Sequence, residues 1–268
     1  MSEIAKSYIS LFTTSDSNAS NAEFSIFDQN NHSSYASTST STSDITYAAS
    51  TGRITFSEAG TYLIIVNAVV ENDGSGADTI DVLVKINGSE ISDLDPWNVQ
   101  VQSANEEKAA TFHFIHDISA DDYLEVFMDS QTSDNFFARP GCSVVAMRAR
   151  ANYGHLRYTA DPNDTTVAAG ETATRTSFDS DIAGTVTSKL SGVTYTAADG
   201  TLTPSVTSKY LLFSTALVGY TQTAAQTSGS QTIYVNGARG VEIQHRGYNG
   251  EDLASEFTLG YLKDLTAS

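Results

Sequence analysis

Residues 44–70 read DITYAASTGRITFSEAGTYLIIVNAVV, and the chain contains a second version of this stretch. Residues 192–218 read GVTYTAADGTLTPSVTSKYLLFSTALV and align with the first stretch without a gap, at a constant offset of 148. The residues shared by the two copies include Thr46, Tyr47, Ala49, Gly52, Thr55, Ser57, Tyr62 and Leu63. Repeats of about 20 to 50 residues build solenoids or propellers, and this longer spacing indicates whole domains. The sequence therefore predicts a tandem duplication, with a first domain at 1–149, including an N-terminal polar segment, and a second, shorter repeat at 150–268.

The composition favours strands over helices. Apolar residues make up 40% of the 268 residues and aromatic residues 10%, and long stretches are rich in Thr, Ser, Gly, Val and Tyr. Such residues suit strands and turns, and no segment has the composition of a long helix. The single cysteine, Cys142, excludes an intrachain disulfide, so stability has to come from packing and assembly. We expect an all-β protein with two cores.

The charge is large, negative and unevenly distributed. The net charge is −18, with 21 acidic and 6 basic residues in 1–149 and 11 acidic and 8 basic residues in 150–268. An acidic first half repels nucleic acid and anionic membranes, so neither is an expected partner. The charge is also typical of a surface that resists aggregation. A more specific interpretation is that the first half faces solvent and the second half docks on another molecule.

The chain carries no pattern for export or membrane insertion. The N-terminus lacks a cationic region followed by an apolar run, and no run approaches the 18 apolar residues typical of a membrane span. We therefore expect synthesis in a cytoplasm and a soluble product.

Turn signals divide the first half into short strands. The run 62–70 is apolar at both alternating sets of positions, which predicts a strand covered on both faces, by the core and by a subunit contact. Asn87-Gly88 predicts a type I′ hairpin. The segment 33–43, SSYASTSTSTS, predicts a loop, with an exposed edge strand as the alternative. Spaced strands without helices predict an antiparallel jelly-roll sandwich.

The second repeat is shorter at its end. Residues 257–262 align with 112–117, and nothing after them corresponds to 123–130 or 141–148. The expected result is an incomplete sandwich whose strand edges are covered by a neighbouring subunit, by a partner or by residues 150–190. An obligate oligomer follows as the expectation.

The first repeat resembles the C1q/TNF-like jelly-roll family. The resemblance lies in Thr51-Gly52-Arg53-Ile54, Gly60-Thr61-Tyr62-Leu63-Ile64, Ile86-Asn87-Gly88, SADDYLEV at 119–126 and Gly141 before the last strand. It covers about 44–149 and, more weakly, 192–262. It departs at Asp121-Asp122, where the family tends to have Gly-Asp, and at Ser208 in place of Gly60. The resemblance implies a ten-strand sandwich per complete domain, trimers about a three-fold axis, and a role in recognition or in bacteriophage virions.

The histidines, the paired aspartates and the cysteine of the first repeat are candidates for chemistry, but each is better explained by a structural role. Strand alternation predicts that His113 and His116 lie on opposite faces, so one metal ion cannot bind both. Asp121 and Asp122 are adjacent in a turn, which points their carboxylates apart. Cys142 heads an apolar strand and is expected to be buried rather than nucleophilic. No catalytic or phosphate-binding motif is present, so we expect neither an enzyme, a cofactor nor a metal.

Aromatic residues provide the remaining candidates for binding. Trp97 follows Asp95-Pro96 and precedes Asn98, in a predicted connection where it could stack on a sugar; it could equally plug a loop. The acidic loop 71–78 lacks the ligand order of an EF-hand. The second repeat supplies candidate interface tyrosines, which could also belong to its core: Tyr210, Tyr220, Tyr234 and Tyr261.

Two functional hypotheses follow. The first is a structural virion protein that decorates or cements a bacteriophage capsid as a homotrimer, located on the virion surface and contacting the major capsid protein or another virion protein. In this hypothesis the low-charge second repeat contacts the shell. The alternative is a receptor-binding or carbohydrate-binding fibre tip or adhesin, with Trp97, Asp95 and Asn98 as its site.

Overall fold

The structure is a computed structural model. It describes residues 7–20, 22–32, 36–74, 78–91, 94, 97–101, 103–132, 135–149, 152–158, 186–198, 200–220, 226–236, 238–248 and 253–267. The chain divides into two compact units, Met1–Arg148 with Leu212–Tyr261, and Ala149–Leu211 with Leu262–Ser268. The division into domains at 149/150 stays a prediction. No helix in the described part of the chain has the length and apolarity that a membrane span requires.

The first repeat consists of strands and one short 3-10 helix, Gln29–Asn31. Its strands, in chain order, are β1 (Tyr8–Thr13), β2 (Phe24–Ser25), β3 (Ser37–Ser41), β4 (Ile45–Ala48), β5 (Arg53–Phe56), β6 (Gly60–Asn72), β7 (Asp78–Ile86), β8 (Ser89–Glu90), β9 (Trp97–Val101), β10 (Glu107–Ile118), β11 (Tyr123–Ser130), β12 (Phe136–Ala138) and β13 (Ser143–Arg148). The run 62–70, predicted to be a strand, lies within β6, and the strands β7 and β8 flank the predicted hairpin at Asn87-Gly88.

Two antiparallel sheets contain these strands. Sheet 1 has the order β10-β6-β13-β1-β3, with β12 on the end of β6. Sheet 2 has the order β4-β5-β11-β7-β8, with β2 on β11 and β9 on β7. Most consecutive strands cross from one sheet to the other, as in a jelly roll; the exceptions, which stay in one sheet, are β4–β5, β7–β8–β9 and β12–β13. The all-β, antiparallel jelly-roll prediction is confirmed.

The core lies between the two sheets and follows the two-residue alternation of the strands. In β6 the side chains from Tyr62 to Val70 at even positions are all fully buried. They pack with inward side chains of both sheets, which include Ile9, Leu11, Ile45, Ile54, Phe56, Ile80, Phe112, Val126, Met128 and Val144. The odd positions of β6 are only half-buried, so the second face of this strand is not covered by the core.

The polar segment before β4 contains a strand, and the prediction of a loop there was wrong. Residues Ser37–Ser41 pair with β1 in antiparallel register and form the edge of sheet 1. Alternating Ser and Thr residues are compatible with an edge strand, because one edge of the strand pairs with the sheet while the other edge stays in water. Trp97 was also placed in a connection, but it begins β9, which pairs with β7 over Asp78–Val82.

The second repeat contains two-stranded antiparallel ladders. Its strands are β14 (Tyr153–Tyr158), β15 (Val186–Ser191), β16 (Val193–Thr196), β17 (Thr201–Pro204), β18 (Ser208–Tyr220), β19 (Gln226–Val235), β20 (Ala238–Tyr248) and β21 (Leu253–Leu265). The pairs are β14–β15, β16–β17, β18–β21 and β19–β20. Strands β16, β17 and β18 follow the order of β4, β5 and β6, and β18 is displaced from β6 by the offset of 148 at both ends.

Local geometry repeats together with the sequence. The Tyr62 hydroxyl donates to the Glu58 carbonyl at 2.9 Å, and the Tyr210 hydroxyl donates to the Val206 carbonyl at 2.9 Å. Gly52 and its counterpart Gly200 both have positive φ, 69° and 65°. The alignment therefore marks equivalent backbone positions, and it permits side chains of the two repeats to be compared directly.

Asn87 and Gly88 adopt φ values of 53° and 77°. Positive φ at both central residues defines a type I′ turn, so this prediction is confirmed. The counterpart Asn236 has a φ of 52°, and Gly237 lies outside the described residues.

Gly52 provides a test of the turn before β5. Its φ of +69° strains any other residue by about 1–2 kcal/mol. A Cβ there would also overlap the Ser25 hydroxyl and lie 2.9 Å from the Asp28 backbone nitrogen. We expect Gly52→Ala to lower the free energy of unfolding by about 1–3 kcal/mol beyond the backbone strain, measured by chemical denaturation. Gly88→Ala is the control, because φ is +77° but the nearest atom, the Tyr123 hydroxyl, lies 3.5 Å away. Equal losses in both variants would contradict the steric part of the prediction.

Candidate functional site

The outer face of sheet 1 is the main candidate for an interaction surface. Register places Ile65 of β6 between His113 of β10 and Val145 of β13, and Leu63 between Ile115 and Met147. Residues directly opposite one another share a face, so these six side chains form two parallel rows. All six are half-buried in the single chain. We call the six residues Leu63, Ile65, His113, Ile115, Val145 and Met147 the sheet 1 face.

One neighbouring row and the facing positions of β1 extend the sheet 1 face without adding charge. A third row contains Asn67 between Thr111 and Ser143, and the Thr111 hydroxyl donates to Asn67 Oδ1 at 2.8 Å. Asn67 Nδ2 donates to the Gly141 carbonyl at 2.8 Å. On β1, the positions opposite β13 are Tyr8, Ser10 and the exposed Phe12. These rows contain no Asp, Glu, Lys or Arg, although the first half of the chain is strongly acidic.

The outer face of sheet 2 differs from the sheet 1 face because it is charged. Arg53 lies 3.3 Å from the carboxylate of Glu125 and 4.0 Å from the ring centre of Tyr123. Lys85 contacts the carboxylate of Glu23 and lies 4.4 Å from the ring centre of Phe127. Both cations of this face thus find a carboxylate and an aromatic ring within the chain. This face is typical of a surface in water, whereas the sheet 1 face is not.

The basic residues described in the first repeat are all paired with carboxylates. Arg139 contacts three, with Asp16 at 2.9 Å and Glu71 and Glu107 at 3.0 Å. Burial raises the pKa of Glu71, an effect that Arg139 opposes. The other pairs are Arg53–Glu125, Lys85–Glu23, Lys108–Glu106 and Arg148–Glu58. The excess negative charge therefore lies on the remaining carboxylates, of which Asp117 occupies the row beside Leu63 and Ile115, opposite Thr61.

The two candidate histidines of β10 do not form a metal site. His113 is opposite Ile65 on the sheet 1 face, and His116 is three positions along, opposite Tyr62, so their side chains point to opposite faces. No group of three His, Cys, Asp or Glu side chains in the described part of the chain could hold a metal ion. His113 is instead one of the few polar groups on the sheet 1 face.

Asp122 supports the junction between two turns. Its Oδ1 accepts a hydrogen bond from Asn87 Nδ2 at 2.6 Å, and its Oδ2 accepts one from the Ser119 backbone nitrogen at 2.7 Å. The bond from Asn87 is the main cause that lowers the pKa of Asp122. Asp121 has a φ of 66° in the same turn. The arrangement connects two turns and offers no paired carboxylates for acid–base chemistry.

Cys142 lies in the core, where it contacts the backbone of β6. Its Sγ accepts a hydrogen bond from the Val69 nitrogen at 3.2 Å and donates to the Val69 oxygen at 3.4 Å. Burial raises the pKa of the Cys142 thiol to about 11. Nucleophilic reactivity requires the thiolate, so this environment suppresses it.

We expect the thiol of Cys142 to remain unreactive in the folded protein. At pH 8 a thiol with this pKa has about one thousandth of its molecules as thiolate, and the side chain is fully buried. Labelling with a disulfide reagent should therefore follow unfolding in guanidinium. Gln100→Cys, at an exposed position of β9, should react at once and serves as the control. Rapid labelling of the wild-type protein without denaturant would contradict the assignment.

Trp97 packs against the core. Its ring stacks on the fully buried Phe112 at a centroid distance of 4.2 Å and an angle of 10°. One face of the indole is thus covered from inside the protein. Asn98 is exposed and lies opposite Asp81 of β7, whereas Asp95 lies outside the described residues. Sugar binding at Trp97, Asp95 and Asn98 stays a prediction.

Of the four candidate interface tyrosines, the structure describes the side chain of Tyr210. The side chain of Tyr210 is buried, and its hydroxyl donates to Val206. Strands β18, β19 and β21 carry Tyr220, Tyr234 and Tyr261, whose side chains lie outside the described part of the structure. An interface role for the four tyrosines stays a prediction.

The sequence pattern predicted that β6 is covered on both faces, but it did not indicate which strands lie beside it. Val145 and Met147 of β13, and Ile115 of β10, complete the sheet 1 face. A signal was present in SVVAMR at 143–148, where apolar side chains occupy both alternating sets. It became interpretable only when the register showed that Val145 and Ile65 are direct neighbours.

Comparisons with known proteins concern the fold. No protein-family model and no curated protein matches the sequence. Among solved structures, an Eiger TNF from S. frugiperda is 12% identical with a TM-score of 0.33, covering 60% of this chain and 99% of its own. Murine APRIL is 9% identical with a TM-score of 0.35, covering 53% and 98%. The globular domain of zebrafish complement 1qA is 10% identical with a TM-score of 0.35, covering 55% and 100%. At this level of similarity the neighbours imply no shared function.

The assignment to the jelly-roll fold comes from this structure and does not depend on the comparisons. It is based on the two antiparallel sheets, their strand order and the repeated turn geometry. By these features the chain is an all-β protein of jelly-roll fold, and its structural neighbours are TNF and C1q domains.

Proposed function

We propose that the protein is a non-catalytic structural component that assembles as a homotrimer through the sheet 1 face and decorates or cements a bacteriophage capsid. The observation that carries the proposal is the absence of charge from the sheet 1 face in a chain of net charge −18. A protein of this charge has ample acidic residues to place on any solvated surface. Their exclusion from three adjacent rows of sheet 1 is typical of a protein interface.

Self-association is the favoured use of the sheet 1 face. Full burial of an exposed Ile, Leu or Val side chain contributes about 1.5–3 kcal/mol, and each half-buried side chain of this face gains part of that amount. Because the face is uncharged, two copies can approach there without the repulsion that acts between their acidic surfaces. The stoichiometry of three follows from the C1q/TNF-like sequence pattern, which implies assembly about a three-fold axis.

The proposed capsid role is based on the three-fold symmetry of the trimer and on its three simultaneous contacts with the shell. A trimer seated over a local three-fold position of a shell contacts several shell subunits at once, so weak contacts from each copy add. The near-neutral second repeat is the proposed shell contact, with the acidic first repeat directed outward. The partner is then the major capsid protein or another virion protein.

The proposal is tested in two steps. Sedimentation equilibrium should give three times the chain mass of 28.6 kDa, and a monomer would overturn the assembly. The purified protein is then mixed with phage particles that lack it. Co-sedimentation at a fixed copy number, together with a raised temperature of particle disruption, is expected. A stable trimer that never co-sediments would reject the capsid role and leave the assembly intact.

A further inference from the structure

The hairpin turn between β7 and β8 places an amide side chain directly before a residue that has none. Asn87 and Gly88 are both exposed, and the atom nearest to a Cβ built on Gly88 would be the Tyr123 hydroxyl at 3.5 Å. No side chain on residue 88 therefore hinders its backbone nitrogen from reaching the amide carbon of Asn87. An asparagine followed by glycine is, for this reason, the one that loses its amide group most readily in water.

The reaction at this turn is a ring closure followed by hydrolysis. The Gly88 nitrogen attacks Asn87 Cγ, so a new N–Cγ bond forms and the Cγ–Nδ2 bond breaks. Nδ2 takes up the proton of the attacking nitrogen and leaves as ammonia. Water then opens the succinimide ring at either of its carbonyls, which yields aspartate or isoaspartate at position 87. Water is the only co-reactant.

The folded chain holds the amide of Asn87 at both of its ends. Its Nδ2 donates to Asp122 Oδ1 at 2.6 Å, and its Oδ1 accepts from the Tyr123 backbone nitrogen at 3.0 Å. The Asn87 backbone nitrogen also donates to the Tyr123 carbonyl, at 2.9 Å. Three hydrogen bonds thus fix this residue to the start of β11, and loss of Nδ2 as ammonia breaks the one to Asp122.

The charge of Asp122 opposes the reaction as well. The bond from Asn87 is the main cause that lowers the pKa of Asp122, so this carboxylate is ionised at neutral pH. Attack on Asn87 Cγ builds up negative charge on the amide oxygen, and a carboxylate held 2.6 Å from Nδ2 repels that charge. The hydrogen bond and the charge therefore act in the same direction.

We propose that Asn87 is a site of spontaneous deamidation and that the Asp122 carboxylate controls how fast it reacts. Conversion to aspartate replaces the donor of the 2.6 Å bond by a second carboxylate, and the two like charges repel one another. Isoaspartate also lengthens the backbone of a turn that requires φ values of 53° and 77°. Either product releases the β7–β8 hairpin from the turn at 119–122.

Mass spectrometry of peptides from the folded full chain, incubated at mildly alkaline pH, tests this site. Asp122→Ala removes the acceptor and its charge, and we expect position 87 to convert about tenfold faster than in the wild-type protein. Asp121→Asn is the matched control. It removes the same charge from the same turn, and asparagine tolerates the φ of 66° at that position. It should leave the rate unchanged.

The dipeptide Asn236-Gly237 is the internal reference in every sample, since Asn236 has a φ of 52°. An unchanged rate at position 87 in Asp122→Ala would overturn the role of the carboxylate. Equal acceleration at 87 and 236 would do the same, because it would indicate general unfolding. Aspartate without isoaspartate would indicate direct hydrolysis and overturn the ring closure.

The wild-type protein decides the question if Asp122→Ala does not fold. Position 87 should convert about tenfold or more faster in guanidinium than in the folded chain, because unfolding breaks all three hydrogen bonds. Equal rates in both conditions would overturn the protection by the fold. The site lies within one chain, so a protein that sediments as a monomer overturns the proposed assembly and leaves the deamidation site intact.

Discussion

Replacement of Ile65 by aspartate is expected to convert the assembled protein into folded monomers. Ile65 lies on the sheet 1 face between His113 and Val145, with the rows of Leu63 and Asn67 on either side. A carboxylate buried there among Leu63, Val145 and Met147, with His113 as the one polar side chain of this face beside it, costs several kcal/mol, and about 4 kcal/mol weakens association roughly a thousandfold. In the single chain the position is half-buried, so the fold itself should tolerate the charge. Sedimentation velocity gives the mass, and circular dichroism verifies that strands remain.

Gln100→Asp is the matched control for this prediction. It adds the same charge at an exposed position of β9, in sheet 2, and should leave the mass unchanged. If Ile65→Asp retains the wild-type mass at micromolar concentration, the sheet 1 face is not the interface. If both variants dissociate, net charge rather than position controls assembly.

Replacement of Phe112 by alanine should produce the largest loss of stability. Phe112 is fully buried and stacks between Trp97 and Phe114, at centroid distances of 4.2 and 6.4 Å. A buried Phe→Ala change costs about 3–5 kcal/mol, because transfer energy is lost and a cavity remains. Trp97 is the single tryptophan, so its fluorescence reports the unfolding of this core directly. A shift in the denaturant midpoint at unchanged slope is the measurement.

Phe12→Ala is the control for the core variant. It removes the same atoms from a side chain that is 41% exposed at the outer face of β1. Its expected cost is about 1 kcal/mol or less. Both changes are made in the Ile65→Asp background, so that assembly does not contribute to stability. Equal losses from Phe112→Ala and Phe12→Ala would contradict the assignment of Phe112 to the core.

Much of the candidate site followed from local pattern. Apolar residues at both alternating sets of 62–70 predicted a strand with two covered faces, and the structure places one face in the core. Positive φ at Asn87 and Gly88 followed from the residue types alone. The serine and threonine segment before β4 was ambiguous because its composition fits both a loop and an edge strand. Pairing with β1 decided the question.

Other assignments depended on which strands become neighbours. Nothing in the local sequence of Trp97 shows that its ring stacks on Phe112, since the two residues are on different strands of different sheets. The interpretation of Leu202 likewise required two pieces of information. Alignment of the repeats identified Ile54 as its counterpart, and the structure showed that Ile54 is buried while Leu202 is exposed.

Sequence alone was sufficient to predict the all-β class, the turn geometry and the strand periodicity, because each depends on residues close together in the chain. The duplication at an offset of 148 was detectable because it needs only an alignment of the sequence with itself. The tertiary structure alone decided the register of β10, β6 and β13, and with it the uncharged sheet 1 face. Register is a non-local property: a shift by one residue would turn Ile65 and Val145 to the core and expose Ile64. Only hydrogen bonds between distant strands, together with the packing of one sheet on the other, could select the observed arrangement.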